Sequence, residues 1–361
     1  MIRRTDDLSL QARARFDAII DVRSPSEFAH DHIPGAINLP VLDDAERAEV
    51  GTVYVQTSKF LARRIGAAKV ARNIAAHLDA ALGDRDGAFR PLVHCWRGGQ
   101  RSGAMAAVMD QIGWPVTVLD GGYRTWRRRV QTALYGPADD LTVILLDGGT
   151  GSGKTEVLAR LADRGVQTLD LEGLARHRGS LFGAWRDRPQ PSQALFESRL
   201  FTALEALDPA RPVVVEAESS RIGARTVPPA LWRAMGRASV IELSAPVAAR
   251  AAFSARAYAD IGADPDAVEA VLGRLPPHHS RDTISAWKAL ARSGATETLA
   301  ASLIAEHYDP AYRRQSARRD RPLLGRVEMS AVSYPELDRA AGEIADTLSR
   351  GEGFCSQRLA P

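Results

Sequence analysis

One cysteine of this chain stands where a reactive thiol is expected. The apolar run 91–93 is typical of a buried strand, Cys95 follows it, and a helical stretch begins at Ser102. The thiol would therefore lie in a glycine-containing loop at a helix N-terminus, where backbone N–H groups and the helix dipole favour negative charge. We expect this loop, together with Arg97 and Arg101, to lower the pKa of the thiol and to bind an oxyanion beside it. Cys95, Arg97 and Arg101 are thus the predicted catalytic residues.

A second stretch has the spacing of a phosphate-binding P-loop. Residues 148–155 match the pattern Gly-x-x-x-x-Gly-Lys-Thr and stand between a β-branched apolar strand and a helix. Glycines in such a loop let backbone N–H groups surround phosphate oxygens. Lys154 would neutralise the outer phosphate, and Thr155 could ligate Mg²⁺. The predicted phosphate-binding residues are Gly148, Gly151, Ser152, Gly153, Lys154 and Thr155.

Two carboxylates follow the next apolar strand of the P-loop region. Glu216 and Glu218 stand at the end of the run that begins at Arg211. In a P-loop fold an acidic residue at this place meets the metal or a water, so both are candidates for that role; the alternative is a pair of surface carboxylates. No metal site made of protein ligands alone is predicted, because His30 and His32 have no third ligand nearby in the sequence.

The order of elements predicts an α/β protein. Strands alternate with helices in both halves, which implies parallel sheets, and both loops follow strands, at the edge where such sheets carry ligands. We predict an N-terminal parallel-sheet domain over residues 1–135 and a linker over 136–140. A P-loop NTPase-like domain is predicted over 141–325, with a helical, arginine-rich part from about residue 246, and a C-terminal tail region over 326–361.

Composition sets wider limits. The 361 residues carry 47 Lys and Arg against 44 Asp and Glu, a net charge of +3, which is compatible with a nucleic-acid partner. No apolar run is long enough for a membrane span, the N-terminus lacks the apolar core of a signal peptide, and Cys95 and Cys355 do not suggest a disulfide framework. We therefore expect a cytoplasmic protein with no membrane partner.

Arginines in the helical part form either an RNA-backbone surface or a solvated helical face, and the sequence alone does not decide between them. They are Arg250, Arg256, Arg274, Arg281, Arg292, Arg313, Arg314, Arg318, Arg319 and Arg321.

The first domain resembles the rhodanese family. The resemblance rests on the stretches 21–28 and 32–38, the cysteine loop and the stretch 119–122, in that order. It implies that Cys95 carries sulfur or selenium. The loop is one residue longer than the usual sulfurtransferase loop, and Cys95, five residues, Arg101 and Ser102 also fit the signature of cysteine-dependent phosphatases. The phosphatase interpretation requires a general acid, which the sequence does not identify.

The chain as a whole resembles the family of bacterial tRNA 2-selenouridine synthases. A P-loop region directly follows a single rhodanese-like domain, and the motifs 95–99, 177–183, 193–197, 215–219 with 222–223, and 308–312 accompany it. The resemblance implies that the sulfur of wobble 2-thiouridine is replaced by selenium from selenophosphate, after S-geranylation from geranyl diphosphate. It implies a tRNA anticodon region as partner, Cys95 as selenium carrier and the P-loop as diphosphate site. Phe182, Trp185 and Phe196 are candidates for a geranyl groove.

Other functions stay open at this point. A rhodanese-type sulfurtransferase fused to a nucleotide-dependent kinase would have the same two loops, and a Cys-x5-Arg phosphatase would have the first. A non-catalytic RNA-binding module is less consistent with an activated thiol loop and an intact P-loop in one chain.

Overall fold

The computed structural model describes residues 1–137, 141–185, 187–217, 219–275, 279–316 and 321–350. This part of the chain divides into two compact units. The first unit contains residues 1–136 and 191–206, and the second contains the remaining described residues. None of the described helices is long and apolar enough to cross a membrane.

The first unit is built on a parallel sheet with the strand order β1-β5-β4-β2-β3. Strand β4 lies in the middle of this sheet with every residue buried, as its apolar sequence predicts. Its elements are β1 (Arg3–Thr5), α1 (Leu10–Arg13), β2 (Ala18–Asp21), α2 (Pro25–His30), β3 (Ile37–Asn38), α3 (Asp44–Gln56), α4 (Lys59–Asp79), β4 (Pro91–His94), α5 (Gln100–Ile112), β5 (Thr117–Leu119) and α6 (Tyr123–Tyr135). The predicted rhodanese-like parallel sheet is confirmed.

The second unit is also built on a parallel sheet, with the order β12-β11-β6-β8-β7. Its elements are β6 (Val143–Gly148), α7 (Lys154–Asp163), β7 (Thr168–Leu169), α8 (Leu171–Ala175), β8 (Val213–Glu216), β9 (Arg221–Ile222), β10 (Arg225–Thr226), α10 (Pro229–Gly236), β11 (Ser239–Ser244), α11 (Val247–Ala257), α12 (Ala259–Gly262), α13 (Pro265–Leu272), α14 (Arg281–Arg292), α15 (Thr296–Leu303), a π-helical turn (Ile304–Tyr308), α16 (Asp309–Ser316), β12 (Leu323–Glu328) and α17 (Tyr334–Arg350); α9 (Gln193–Glu205) belongs to the first unit. Because β6 and β8 are parallel neighbours, their carboxyl ends meet at one edge, which brings the P-loop next to Glu216.

The end of the second unit differs from the predicted tail region. Strand β12 extends the sheet by pairing with β11, with Val327 opposite Leu243. Helix α17 then buries Leu337 and Ile344 in the same apolar cluster as Leu161 of α7. The stretch carries no chemical motif, but its apolar residues recur at helical spacing, and their burial makes residues 326–350 part of the domain core.

Helix α9 packs with the first unit, although the predicted boundaries place it wholly in the P-loop domain. Trp126 of α6 is fully buried, its indole N–H donates to the Ser198 hydroxyl at 3.0 Å, and its ring meets Phe201 edge-on at 5.3 Å. Arg13 and Arg129 both pair with Glu205 at the end of α9. An apolar contact with a polar clamp at its edge therefore fixes α9 to α6.

Replacing the Ser198 hydroxyl should loosen this helix pair. In Ser198→Ala the buried indole N–H of Trp126 loses its acceptor, which costs about 1–3 kcal/mol. We expect hydrogen exchange of the α6 and α9 backbone amides to quicken by about tenfold, since about 1.4 kcal/mol corresponds to a factor of ten. Thr202→Ala is the matched control, because that hydroxyl bonds only the Ser198 carbonyl of its own helix. Equal exchange in the two variants would contradict the proposed clamp.

Candidate active sites

The cysteine loop is packed backbone to backbone against the turn between β5 and α6. Cys95 directly follows β4 and is 4% exposed. Gly122 has φ +61°, and a Cβ atom there would lie 2.4 Å from the Cys95 carbonyl oxygen. The Tyr123 N–H donates to that same oxygen at 2.8 Å. The two glycines of the 119–122 motif therefore allow the turn to hold the loop in shape.

The thiol sits in a cradle of hydrogen-bond donors. The Cys95 sulfur lies 3.3 Å from the Ser102 hydroxyl oxygen, and the backbone N–H groups of Arg97, Gly99 and Ser102 also point at it. Burial by itself would raise the pKa of the Cys95 thiol, but these hydrogen bonds outweigh it and hold that pKa below its ordinary value. Ser102 was not among the predicted catalytic residues, although its place directly after Arg101 in the phosphatase-like signature was a signal for it.

The two loop arginines are in different surroundings. Arg101 donates from Nη1 to Glu27 Oε2 at 2.8 Å, and Arg47 binds the same carboxylate at 2.9 Å. Burial would raise the pKa of Glu27, but the two guanidinium groups and the Ser24 N–H hold it below its ordinary value, so the carboxylate is ionised. Arg97 is exposed at the rim of the loop. Arg101 is thus fixed in place, whereas Arg97 is accessible to a ligand.

A buried ion pair, Arg23 with Asp21, lies next to the residues that hold the cysteine loop. Arg23 binds Asp21 at 2.5 Å, and its guanidinium lies over the Tyr123 ring at 4.0 Å. His94 is fully buried beside this pair, and its pKa is lowered because burial disfavours the imidazolium. Trp96, by contrast, is 39% exposed with its ring 5.2 Å from Tyr123. Trp96 therefore stands at the rim of the thiol site rather than in the core.

In the second unit, the P-loop winds between β6 and α7 as its sequence indicates. Gly151 has φ +80°, and a Cβ atom there would lie 2.4 Å from the Ser254 hydroxyl oxygen, so a larger residue would displace the loop. Ser152 is buried, and Lys154 donates from Nζ to the Gly148 carbonyl at 2.9 Å. The ammonium therefore reaches back over the loop, where a phosphate would lie.

A buried arginine braces this loop. Arg250 of α11 is 6% exposed and donates to the Thr150 carbonyl at 3.2 Å. Its guanidinium also binds both carboxylate oxygens of Asp309, at 2.9 and 2.7 Å. Both alternatives for the arginine group, an RNA-backbone surface and a solvated helical face, are wrong for Arg250, because it is buried and already paired. This bridge also gives the 308–312 motif a structural role.

The other predicted surface arginines remain a prediction. Arg292 pairs with Glu269 at its exposed end, while Arg318 and Arg319 lie outside the described residues. The exposed members are Arg256, Arg274, Arg281, Arg292, Arg313 and Arg314.

Oxygen ligands gather next to the P-loop. Glu216 is fully buried at the end of β8, and its Oε1 accepts from the Thr155 hydroxyl at 2.6 Å. Glu172 of α8 approaches the same hydroxyl at 3.4 Å and was missed by the sequence reasoning. Glu218 lies outside the described residues. Over the described part of the chain, no group of three or more His, Cys, Asp or Glu side chains is arranged to hold a metal by itself.

A cavity of about 620 Å³ opens above the P-loop. Besides loop residues it is lined by aromatic side chains, including Trp185, which is 40% exposed. The Arg178 guanidinium lies over the Trp185 ring at 4.0 Å and pairs with Asp260 at 3.1 Å. The cavity therefore has a phosphate cradle at its base and an aromatic rim.

A smaller pocket of about 90 Å³ adjoins this cavity and is almost entirely apolar. The two share four lining residues, Thr150, Ser180, Tyr258 and Tyr308. Of the three geranyl-groove candidates, Phe182 lines the apolar pocket and Trp185 lines the larger cavity. The third candidate, Phe196, is wrong, because it is fully buried on α9 in the first unit. Phe182 is accompanied in the pocket by Ile261, Val268, Leu299, Leu303 and Ile304.

Comparisons with known proteins agree with both halves of the chain. A model of the Rhodanese-like domain matches residues 5–129, and a model of the tRNA 2-selenouridine synthase AAA domain matches residues 141–270. Curated relatives carry the name tRNA 2-selenouridine synthase. The one from Nitrosomonas europaea is 34% identical over 236 residues, or 64% of this chain and 61% of that protein. The one from Cupriavidus necator is 39% identical over 235 residues, or 63% of this chain and 62% of that protein.

The matched stretch thus spans about three fifths of the length of these two relatives. It is longer in the tRNA 2-selenouridine synthase of Verminephrobacter eiseniae, which is 38% identical over 258 residues, or 68% of each chain. Because this relative is matched over two thirds of both chains, this chain belongs to the tRNA 2-selenouridine synthase family.

Proposed function

We propose that this protein replaces the sulfur of wobble 2-thiouridine in tRNA by selenium, through an S-geranylated base, with geranyl diphosphate and selenophosphate as substrates. The observation that carries the proposal is a phosphate cradle with an adjoining apolar pocket, in the same chain as an activated thiol. The substrate of such an enzyme is the anticodon region of a tRNA, and its expected location is the cytoplasm.

The first reaction prepares the base. A thiocarbonyl sulfur is a poor leaving group, and S-alkylation makes it a good one. In that step the sulfur attacks the first carbon of the geranyl group and diphosphate departs. The N–H groups of the P-loop and the Lys154 ammonium would stabilise the charge that grows on the departing diphosphate. This use of a P-loop requires no ATP hydrolysis.

The apolar pocket suits the geranyl chain. Its walls offer few hydrogen-bonding atoms, so they favour a hydrocarbon over the ribose and base of a nucleotide. It adjoins the phosphate cradle at Thr150, so one ligand could place its diphosphate on the loop and its chain in the pocket. This arrangement favours a prenyl diphosphate over the nucleotide of a kinase.

Mg²⁺ fits the oxygen donors beside the P-loop. The Thr155 hydroxyl and the Glu216 carboxylate lie 2.6 Å apart, and a hard cation prefers oxygen ligands shared with phosphate. These two residues would hold the ion, with Glu172 close by. When bound, Mg²⁺ would supply additional positive charge against the departing diphosphate.

The second reaction delivers selenium. The thiol loop has N–H donors around Cys95 and an accessible Arg97, which suit the oxyanion of selenophosphate. The lowered pKa of Cys95 increases the fraction of thiolate at a given pH. The base prepared in the first reaction then receives the selenium and loses its alkylthio group.

Purified protein should convert 2-thiouridine in tRNA to 2-selenouridine when both small substrates are present. We expect Cys95→Ser to accumulate the S-geranylated base without selenium, because the selenium step needs the thiolate. Lys154→Ala should form neither product from 2-thiouridine, because the diphosphate charge is no longer neutralised. Mass spectrometry of the tRNA nucleosides measures all three species.

Some results of the same assay would contradict the proposed roles of Cys95 and Lys154. Selenation at the normal rate by Cys95→Ser, or geranyl transfer at the normal rate by Lys154→Ala, would contradict the assigned role of that residue. Turnover of ATP or thiosulfate with no change in the tRNA would instead favour a sulfurtransferase fused to a kinase.

The pH dependence of the selenium step should follow the thiol. Its rate rises with pH through the pKa of Cys95, which the Ser102 hydroxyl helps to lower. Ser102→Ala should raise that pKa and move the rising limb to higher pH by about one unit, because a hydrogen bond to a charged group contributes about 1.5 kcal/mol. Pre-geranylated tRNA isolates this step in the measurement. An unchanged pH profile would show that Ser102 does not stabilise the thiolate.

Filling the apolar pocket should affect only the geranyl step. Ala300 lines the pocket, and Ala300→Phe should raise the KM for geranyl diphosphate at least about tenfold, since displacing two methylene groups costs about 1.6 kcal/mol. Inhibition by inorganic diphosphate should stay unchanged, because it occupies only the cradle. Thr298→Phe, at an exposed position of the same helix, is the control. Equal KM values for the two variants would mean that the geranyl group binds outside this pocket.

A further inference from the structure

Electron balance restricts what Cys95 can do to selenophosphate. In that substrate selenium is bonded to phosphorus and carries negative charge. If the thiolate attacked selenium, the electrons of the phosphorus–selenium bond would pass to phosphorus, which would leave as phosphite. Attack at phosphorus leaves those electrons on selenium, so neither element changes its oxidation state. A thiolate in an oxyanion cradle therefore favours the second course.

We propose that the Cys95 thiolate attacks the phosphorus of selenophosphate, so that an S-phosphocysteine forms and selenium departs as the hydrogen selenide anion, with a proton that selenophosphate itself brings, to act as the nucleophile for the geranylated base. The inference rests on the proposed function and specifies its selenium step. The sulfur–phosphorus bond forms as the phosphorus–selenium bond breaks. Selenide then adds to the base carbon, and the geranylthiolate leaves with a proton. Water finally cleaves the S-phosphocysteine to phosphate and the free thiol, which completes the cycle without an external oxidant or reductant.

The donors around the thiol suit a phosphoryl group on sulfur. The Ser102 hydroxyl oxygen lies 3.3 Å from the Cys95 sulfur, and the backbone N–H groups of Arg97, Gly99 and Ser102 act on that sulfur as hydrogen-bond donors. Oxygens on a phosphorus bonded to that sulfur would lie at the mouth of the same cradle, as in other anion-binding backbone turns. Five residues lie between Cys95 and Arg101, and the resemblance to the rhodanese family implies that this loop is one residue longer than the usual sulfurtransferase loop. A wider loop accommodates a tetrahedral group rather than a single chalcogen atom.

The nature of the leaving group explains why this site can work without the proton donor that a phosphatase needs. Cleavage of an alkyl or aryl phosphate needs an acid to protonate the departing oxygen. Among the described residues, the carboxyl group bonded to a side chain of the loop is that of Glu27, which bonds Arg101 at 2.8 Å and Arg47 at 2.9 Å and is thereby kept ionised. Hydrogen selenide is a much stronger acid than an alcohol or a phenol, so the hydrogen selenide anion, once it carries the proton of selenophosphate, departs without a proton donor from the protein. The site thus fits a phosphorus–selenium bond and not an ordinary phosphate ester.

Ser102 has a place in the last step. Its hydroxyl lies 3.3 Å from the Cys95 sulfur, so it can donate to the thiolate that departs when water attacks phosphorus. Removing this donor should slow hydrolysis of the S-phosphocysteine more than its formation, because only hydrolysis returns charge to the sulfur. Ser102→Ala is therefore the variant in which the intermediate should accumulate.

The experiment mixes the full-length protein with selenophosphate under anaerobic conditions, without tRNA, and quenches it in denaturant at alkaline pH. We expect a phosphoryl adduct on Cys95 by mass spectrometry and phosphorus NMR, a burst of selenide no larger than the protein concentration, and phosphate as the final phosphorus product. Ser102→Ala should hold several times more adduct than the unaltered protein, and Cys95→Ser should hold none.

Three results would overturn the inference. They are an adduct with the isotope pattern of selenium, phosphite as the phosphorus product, or phosphate released with no adduct in either the unaltered protein or Ser102→Ala. With the first two, selenation of tRNA by the same preparation would leave the proposed function standing. Loss of selenation together with an intact S-phosphocysteine would instead reject the proposed function and retain the thiol chemistry.

Two further substrates test whether the thiol site has a proton donor for the leaving group. Inorganic thiophosphate should be cleaved by the Cys95 route, because its sulfide also departs without a strong proton donor. Phenyl phosphate should be cleaved at least about 100-fold more slowly, the size of effect that general acid catalysis contributes. Comparable rates for the two would mean that a proton donor is present, and would reject the argument from the leaving group.

Discussion

Convergence of backbone N–H groups on one point is the constraint on which both sites depend. In each case a buried parallel strand ends, the chain turns through glycines, and a helix begins, so several amides face one position at an edge of the sheet. In the first unit that position holds a sulfur atom, and in the second it would hold a phosphate. The chemical difference between the sites comes from one side chain each, the Cys95 thiol and the Lys154 ammonium.

Each loop also relies for its shape on a buried arginine that is paired with an aspartate. Arg23 and Asp21 lie below the cysteine loop and hold Tyr123, whose N–H fixes the Cys95 carbonyl. Arg250 and Asp309 do the same for the P-loop through the Thr150 carbonyl. A buried charge needs a partner, so these arginines are committed to structure. The arginine that is exposed at the thiol site, Arg97, is the one that can meet a ligand.

The sequence predicted the local structure around both loops because short spacings fix local structure. The loops at Cys95 and Lys154, both parallel sheets and the approach of Glu216 to Thr155 all follow from strand, loop and helix in succession. Contacts across long stretches of chain were not predictable in this way. Arg250 looked like one more surface arginine because its partner, Asp309, stands 59 residues away. Phe196 looked like a groove residue because nothing in its spacing shows that α9 packs against Trp126.

Because α9 belongs to the first unit, the protein cannot be divided into two fragments by a single cut. The chain leaves the first unit after Gly136, returns at Pro191 and leaves again after Ala206, so neither unit is one continuous segment. A fragment that stops at the linker would lack the helix that covers Trp126, and it would present that indole and its neighbours to water. The rhodanese-like part is therefore complete only when it is translated together with much of the P-loop part.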